Sequence, residues 1–363
     1  MSAFSSIRMI TGAISVIYMF TSGLGLESIA YVKALQSIIT LCFSLGFAKF
    51  IDKFNRKIIY LTAMTSSAVW LFILFLGGYY TNIFYFYIAE IFNAIALVLY
   101  NSISNAYLLD EYFQAEKNKN FEHVLGKYNN FSFLGMAIFS GAGAFVYEYL
   151  SKYVFLIAFL LMSFLTLVGL LSLPTQCTNY SKHKKRQVKP YIKAYEKKLI
   201  YRKLLQLSPF IIPLILISIY YQLLIQYWQV VASVIPAIKA KPYLLGVIFI
   251  MSLFLQSYAG KLSTHLNIHA LPFSFIFIII GLLLLYFSLE FLNSYCMLIG
   301  LGMLFLNIRI NIILTHAKSH KSIKKQIRAR FDSYLYTTTI ILTGFFLLIS
   351  GYFISWYGNP PEK

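Results

Sequence analysis

The stretch GFAKFIDKFNRKIIY, Gly46 to Tyr60, decides the fold class of this chain, because it sets a charged turn between two long apolar runs. An apolar helix of about 20 residues spans the hydrocarbon core of a bilayer. The flanking runs predict two such helices, over residues 28–50 and 58–80. The charged residues between them are Lys49, Asp52, Lys53, Arg56 and Lys57.

The composition extends this prediction to the whole chain. Hydrophobic residues make up 59% of the 363 residues and charged residues 12%, whereas a soluble domain carries about 25% charged residues. We therefore predict an all-α polytopic membrane protein with about eleven transmembrane helices. The candidate spans are residues 3–21, 28–50, 58–80, 83–109, 130–149, 153–173, 207–231, 243–260, 271–289, 294–314 and 333–357.

The distribution of basic residues indicates the orientation of the chain. The formal net charge is +19, and most of the 31 lysines and arginines fall in alternate loops. The positive-inside rule predicts this pattern for cytoplasmic segments. We therefore expect a cytoplasmic N-terminus, contact with the lipid bilayer and no nucleic-acid partner.

The longest loop divides the spans into two groups. We predict an N-terminal six-helix bundle over residues 1–173 and a basic cytoplasmic linker over residues 174–206. A C-terminal bundle of five helices over residues 207–357 and a short tail over residues 358–363 complete the predicted organisation.

The charged turn carries the first of three family motifs. Asp52, Arg56 and Lys57 match the pattern G-x-x-x-D-x-x-G-R-K, while Ala48 and Asn55 stand at its two glycine positions. This turn resembles the one between spans 2 and 3 of the major facilitator superfamily. The resemblance implies two helical bundles that rock about a central path.

Two further segments resemble a bacterial branch of the same superfamily. One begins YLLDEYF at Tyr107, with Asp110 as the acid that ends span 4 and a Gly-Lys pair at Gly126. The other, IRARFDS over residues 327–333, resembles the R-A-T-x-x-S that opens span 11. The superfamily has twelve spans, so the resemblance implies a permease that lacks the twelfth helix.

The resemblance also implies a conformational switch at the cytoplasmic side. It suggests that Arg56 meets Asp110, and that Asp52 faces the partly positive N-terminal end of span 11 near Ser333. Contacts of this kind would hold the two halves closed and break when they rock.

Span 4 carries one polar stripe on an apolar helix. Glu90, Asn93 and Asn101 fall at helical spacing, and Glu90 is the only acid well inside a predicted span. For the asparagines we favour hydrogen bonds between helices. For Glu90 the same bonding between helices stays open beside a functional role, which would be proton coupling or contact with a cationic substrate.

Span 7 carries a second stripe. Gln222, Gln226 and Gln229 fall on one helical face, next to Trp228. The amides could bond a solute and the indole could stack on it, and the resemblance implies that this helix lines the central cavity. The alternative is amide bonding between helices together with an aromatic belt at the membrane interface.

Other residues indicate close packing of helices, and none indicates a catalytic site. Gly135, Gly141 and Gly143 on span 5 would let neighbouring helices approach closely. His316 and His320 have no carboxylate or thiol partner nearby in sequence, so no metal site is expected. We expect no cofactor and no enzymatic activity.

These observations lead to one leading hypothesis. We expect a monomeric secondary active transporter of the bacterial inner membrane, which moves a small solute outward by alternating access with protons as the coupling ion. The alternative is a truncated or degenerate permease that acts as a non-transporting membrane accessory protein.

Overall fold

The computed structural model describes residues 2–47, 55–115, 121–172, 208–265, 271–321 and 325–358. Over these residues the chain forms helices joined by turns and contains no strand. The helices are α1 (Ser2–Met9), α2 (Ser15–Thr21), α3 (Leu26–Phe47), α4 (Arg56–Tyr80), α5 (Ile83–Ala115), α6 (Phe121–Leu150), α7 (Tyr153–Ser172), α8 (Ser208–Ser233), α9 (Pro236–Ala240), α10 (Tyr243–His265), α11 (Leu271–Glu290), α12 (Ser294–Lys321) and α13 (Lys325–Gly358).

The predicted fold class is confirmed. Within the described residues, 8 helices are long and apolar enough to cross a membrane. Two shorter apolar helices, Tyr243–Ala259 and Ile276–Glu290, coincide with two more of the predicted spans. The remaining predicted span, residues 3–21, coincides with α1 and α2.

Several helices continue beyond the apolar spans predicted for them. Helix α5 runs to Ala115, α6 begins at Phe121, and α13 begins at Lys325. Apolar periodicity marks only the part of a helix that lies in hydrocarbon, whereas lysine, arginine and glutamate also favour helix outside it. Ser333 therefore lies inside α13, and the predicted placement of a helix N-terminus near Ser333 is wrong.

The first span is interrupted, which the sequence did not predict. Residues 10–14 form turns held by short-range backbone bonds, among them Gly12 N to Met9 O at 2.9 Å and Ile14 N to Thr11 O at 3.2 Å. The Thr11 hydroxyl donates to the Arg8 carbonyl at 3.1 Å. Because glycine is a poor helix former, Gly12 favours a break here, and backbone groups around it need partners from elsewhere.

The helices before residue 173 pack among themselves, and so do those after residue 207. Helix α4 packs on α5 and α7, α3 packs on α5, and α1 packs on α6. In the second group, α12 packs on α8, α10 and α11. The predicted linker, residues 174–206, lies outside the described residues, and the exact domain division stays a prediction.

Among the described residues, the main contacts between the two groups are those of α3 with α13, α6 with α10, and α2 with α8. Small residues bring the first pair close together. A Cβ added at Gly351 would lie 3.0 Å from the Ala30 side chain, and one added at Gly344 would lie 3.3 Å from Ser37. Helix α3 therefore forms an interface between the two groups and also packs on α5 within its own.

Candidate functional site

Glu90 lies at the centre of a buried polar network. Its side chain is fully buried, and one carboxylate oxygen accepts a hydrogen bond from Lys33 Nζ at 2.7 Å. The other oxygen accepts from Asn93 Nδ2 at 2.6 Å. Glu90 and Asn93 stand three residues apart on α5, so they share one face of that helix.

Arg8 extends the network to α1 and α4. Its guanidinium donates to the Asn93 side-chain oxygen and to the Ser67 hydroxyl. The Arg8 Cζ atom lies 4.6 Å from the centre of the Trp70 ring and 5.5 Å from that of Phe4. Both distances are within the range of a cation–π interaction.

We call this set the charged cluster; its members are Arg8, Lys33, Ser67, Trp70, Glu90 and Asn93. They come from α1, α3, α4 and α5, all of which precede residue 173. Arg8 stands in the last turn of α1, where a positive charge is favoured by the helix dipole. The cluster therefore joins ionisable groups of one half of the chain.

Gln229 makes a different kind of contact. Its side-chain oxygen accepts from the backbone N–H groups of Val16 and Ile17, at 2.9 and 3.2 Å. Its nitrogen donates to the Gly12 carbonyl at 2.8 Å. This set, which we call the Gln229 clamp, satisfies backbone groups next to the break between α1 and α2 and joins them to α8.

The other span 7 candidates lie in different surroundings. Gln222 is exposed and Gln226 is half-buried. Trp228 is only 2% exposed, and its ring stacks on that of Phe249 with the centroids 5.6 Å apart. In this conformation Trp228 has little surface for a solute, and the predicted role of this face in substrate binding stays a prediction.

A cavity of about 390 Å³ lies beside the Gln229 clamp. Both halves line it, with Thr21 and Tyr147 on one side and Ser233 and Lys239 on the other. Thr21 and Tyr147 are joined by a hydroxyl–hydroxyl hydrogen bond of 3.2 Å. Small-molecule sites commonly have volumes of about 300–1,000 Å³, so this cavity has room for a small solute.

The remaining predicted residues are placed as follows. Asn101 is exposed. A Cβ at Gly135 would collide with the Ser6 side chain, one at Gly141 with Ile250, and one at Gly143 with the Ile10 carbonyl. These three glycines thus lie where α6 is in close contact with α1, the break after it and α10.

The predicted switch falls largely outside the described structure. Asp52 is outside the described residues, and for Arg56 and Asp110 the structure describes the helical backbone alone. Asn55 is the N-cap of α4, and its side chain accepts from the Lys57 N–H at 2.9 Å. Because asparagine is a preferred N-cap, it suits the position where the family pattern has glycine. The switch itself stays a prediction.

Sequence reasoning missed Lys33 and Arg8 as members of the site. Lys33 lies within the predicted span 28–50, a signal that a buried partner was needed. Arg8 lies near the N-terminal end of the predicted span 3–21, where a basic residue can reach the membrane surface and needs no buried partner. A single sequence does not give pairing across helices, so neither residue could be assigned to Glu90.

The family model of the Major Facilitator Superfamily matches residues 1–324. The chain belongs to the Major Facilitator Superfamily. It is therefore a multi-pass membrane protein with a transporter fold. No curated protein sequence matches the chain.

Solved structures of other superfamily transporters have the same fold. The nucleoside transporter NupG matches with a TM-score of 0.72 at 16% identity, over 99% of this chain and 90% of NupG. A bacterial homologue of the human lysosomal transporter Spinster, inward-facing and unoccupied, matches with a TM-score of 0.69 at 14% identity. That match covers 98% of this chain and 80% of the homologue. The absence of a twelfth helix stays a prediction.

Proposed function

We propose that this chain is a proton-coupled secondary transporter of a small solute and that Glu90 binds the coupling proton. The observation that carries the proposal is the buried ion pair between Glu90 and Lys33, 2.7 Å long. A charged side chain inside a membrane is energetically expensive, and such residues often mark proton or substrate pathways.

The position of Lys33 connects this pair to the interface between the halves. Lys33 lies about one helical turn from Ala30 and from Ser37, and both of those residues face glycines of α13. A proton on Glu90 would neutralise the carboxylate and remove the charge partner of Lys33. Protonation would thereby weaken the electrostatic attraction between α5 and α3, the helix that packs on α13 of the other half.

The same geometry favours a proton over a cationic substrate as the partner of Glu90. An ammonium group already occupies one carboxylate oxygen, and an amide occupies the other. A cationic solute would have to displace Lys33, which would bring two positive charges together in a buried site. A proton can bind the carboxylate without bringing a second bulky cation into the site.

The sequence supports the direction of transport and the membrane that we propose. The basic loops support a cytoplasmic N-terminus, and the resemblance to a bacterial branch of the family supports export across the inner membrane. The experiment below measures direction independently of Glu90.

The test compares cells that produce the protein with cells that do not, using untargeted mass spectrometry of the medium and of the cell contents. We expect at least one small solute to be redistributed by the wild type, and a protonophore to abolish the effect. Glu90→Gln should also abolish redistribution against the solute's concentration gradient, whereas Glu148→Gln, the same change at an exposed position of α6, should not.

Two results would contradict the proposal. Redistribution against the solute's concentration gradient that persists in Glu90→Gln cells or in the presence of the protonophore would rule out proton coupling through Glu90. The absence of any redistributed solute, with normal membrane insertion, would favour a non-transporting accessory protein.

A further inference from the structure

The charged cluster is not electrically balanced. It holds two cations, Arg8 and Lys33, and one anion, Glu90. No further ion pair involves these residues in the part of the chain that the structure describes. A positive charge without a counter-ion inside a membrane protein is unfavourable, so one more negative charge beside the half-buried Arg8 would stabilise the cluster.

The hydrogen bonds of the cluster show the same imbalance. Both oxygens of Glu90 and the side-chain oxygen of Asn93 already accept bonds. An arginine has five N–H donors and a lysine has three, whereas Arg8 makes two side-chain bonds and Lys33 makes one among the described residues. Donors therefore exceed acceptors.

Trp70 adds another donor. Its indole Nε1 is buried and has no hydrogen-bond partner among the described residues. The ring of the same residue lies against the Arg8 guanidinium. An indole nitrogen can only donate, so a bound group would have to supply an acceptor to satisfy it.

We propose that the charged cluster binds a carboxylate of the transported solute, with Arg8 as the main contact. A carboxylate brings one negative charge and only acceptor oxygens, which matches both imbalances. Arg8 is half-buried, whereas Glu90 is fully buried, so Arg8 is the cation that an entering group can reach. This inference rests on the proposed function, because it names the chemical class of the solute.

The test measures binding to the purified full-length protein in detergent, without any gradient. The probes are benzoate, its neutral analogue benzamide and its cationic analogue benzamidine, at constant ionic strength. We expect benzoate to raise Tm and to give saturable heat in calorimetric titration, and the two analogues to do neither. A fourth arm adds phosphatidylglycerol, since a lipid phosphodiester also offers one negative charge.

Variants locate the site. Arg8→Gln should weaken benzoate binding by at least about tenfold, because it removes charge-assisted hydrogen bonds. Trp70→Phe keeps an aromatic ring and removes the N–H, and should weaken binding about fivefold. Arg309→Gln is the matched control, since Arg309 stacks on Phe133 with a centroid distance of 5.4 Å outside the cluster, and should bind like the wild type.

Each outcome is decisive. Equal binding of benzoate and benzamide, no binding of benzoate, or unchanged binding by Trp70→Phe would overturn the proposal. Stabilisation by phosphatidylglycerol alone would assign the site to lipid and overturn it as well. Glu90→Gln should bind benzoate at least as tightly as the wild type, because the cluster then carries one more net positive charge. Benzoate binding and proton coupling are thus tested separately, because either can be absent while the other is present.

Discussion

The charged cluster and the Gln229 clamp both hold the interrupted first span, but they do so with different chemistry. The cluster ties α1 to other helices of its own half through ionised side chains. The clamp ties the break after α1 to α8, in the other half, through one neutral amide. The cluster contains ionisable side chains that can change charge, whereas the clamp is a neutral contact between the two halves, which move relative to each other.

Magnitudes support this division. Removing one partner of a buried ion pair is destabilising by about 3–5 kcal/mol. Hydrogen bonds between membrane helices contribute about 0.6 kcal/mol on average and about 1.7 kcal/mol at most. We therefore expect the helices that the cluster joins to stay packed together while Glu90 gains and loses its proton, and the clamp to open and reform within the transport cycle.

The largest effect should come from breaking the ion pair on one side. Lys33→Met removes the ammonium group that is hydrogen-bonded to the buried Glu90 carboxylate. Because Arg8 remains as a cation of the cluster, the loss of stability should lie at the lower end of the range for breaking a buried ion pair, about 3 kcal/mol. The double variant Lys33→Met with Glu90→Gln removes both charges and should recover most of that loss. Thermal unfolding of the purified variants measures both values.

Lys152→Met is the control for that experiment. Lys152 lies 4.4 Å from the Tyr79 ring centre and has no acidic partner among the described residues. Its replacement should change stability by no more than about 1 kcal/mol. If Lys33→Met and Lys152→Met changed stability equally, the Lys33–Glu90 ion pair would not be a strong contact, and the distinction between the cluster and the clamp would fail.

A smaller effect on stability, with a larger one on dynamics, should follow from opening the clamp. Gln229→Leu leaves the N–H groups of Val16 and Ile17 without their acceptor, and should destabilise the protein by about 1–2 kcal/mol. Hydrogen exchange of peptides that cover residues 10–20 should become faster. Exchange in peptides from α5 around Glu90 should stay unchanged.

Gln222→Leu provides the matched control, because Gln222 is exposed on the same helix. It should leave both stability and exchange near their wild-type values. Faster exchange around Glu90 in Gln229→Leu would mean that the cluster and the clamp open together, and the distinction between them would be lost.

The sequence predicted the parts of this arrangement that depend on one helix at a time. The apolar runs gave the membrane helices, and helical spacing placed Glu90 and Asn93 on one face, where they are hydrogen-bonded. The partners across helices, Lys33 and Arg8, depend on packing that one sequence does not encode locally. The break at residues 10–14 was missed because its only local signal is Gly12, which many continuous helices also tolerate.

Gln229 was predicted as a site residue, but its contact partners were not. Helical spacing singled it out as a polar residue on an apolar helix. The structure places it on the face of α8 that contacts α2. Its hydrogen bonds go to backbone groups that are available only because the first span is interrupted. A continuous first helix would have offered no such partners, so this contact could not be foreseen from the predicted spans.

The central claim is that a proton on Glu90 couples solute movement to the proton gradient. Proteoliposomes can measure two processes with the solute identified in cells: accumulation driven by an imposed pH gradient, and exchange of labelled for unlabelled solute without a gradient. We predict that Glu90→Gln retains exchange and loses gradient-driven accumulation, while Glu148→Gln retains both. Gradient-driven accumulation by Glu90→Gln at the wild-type level would contradict the account.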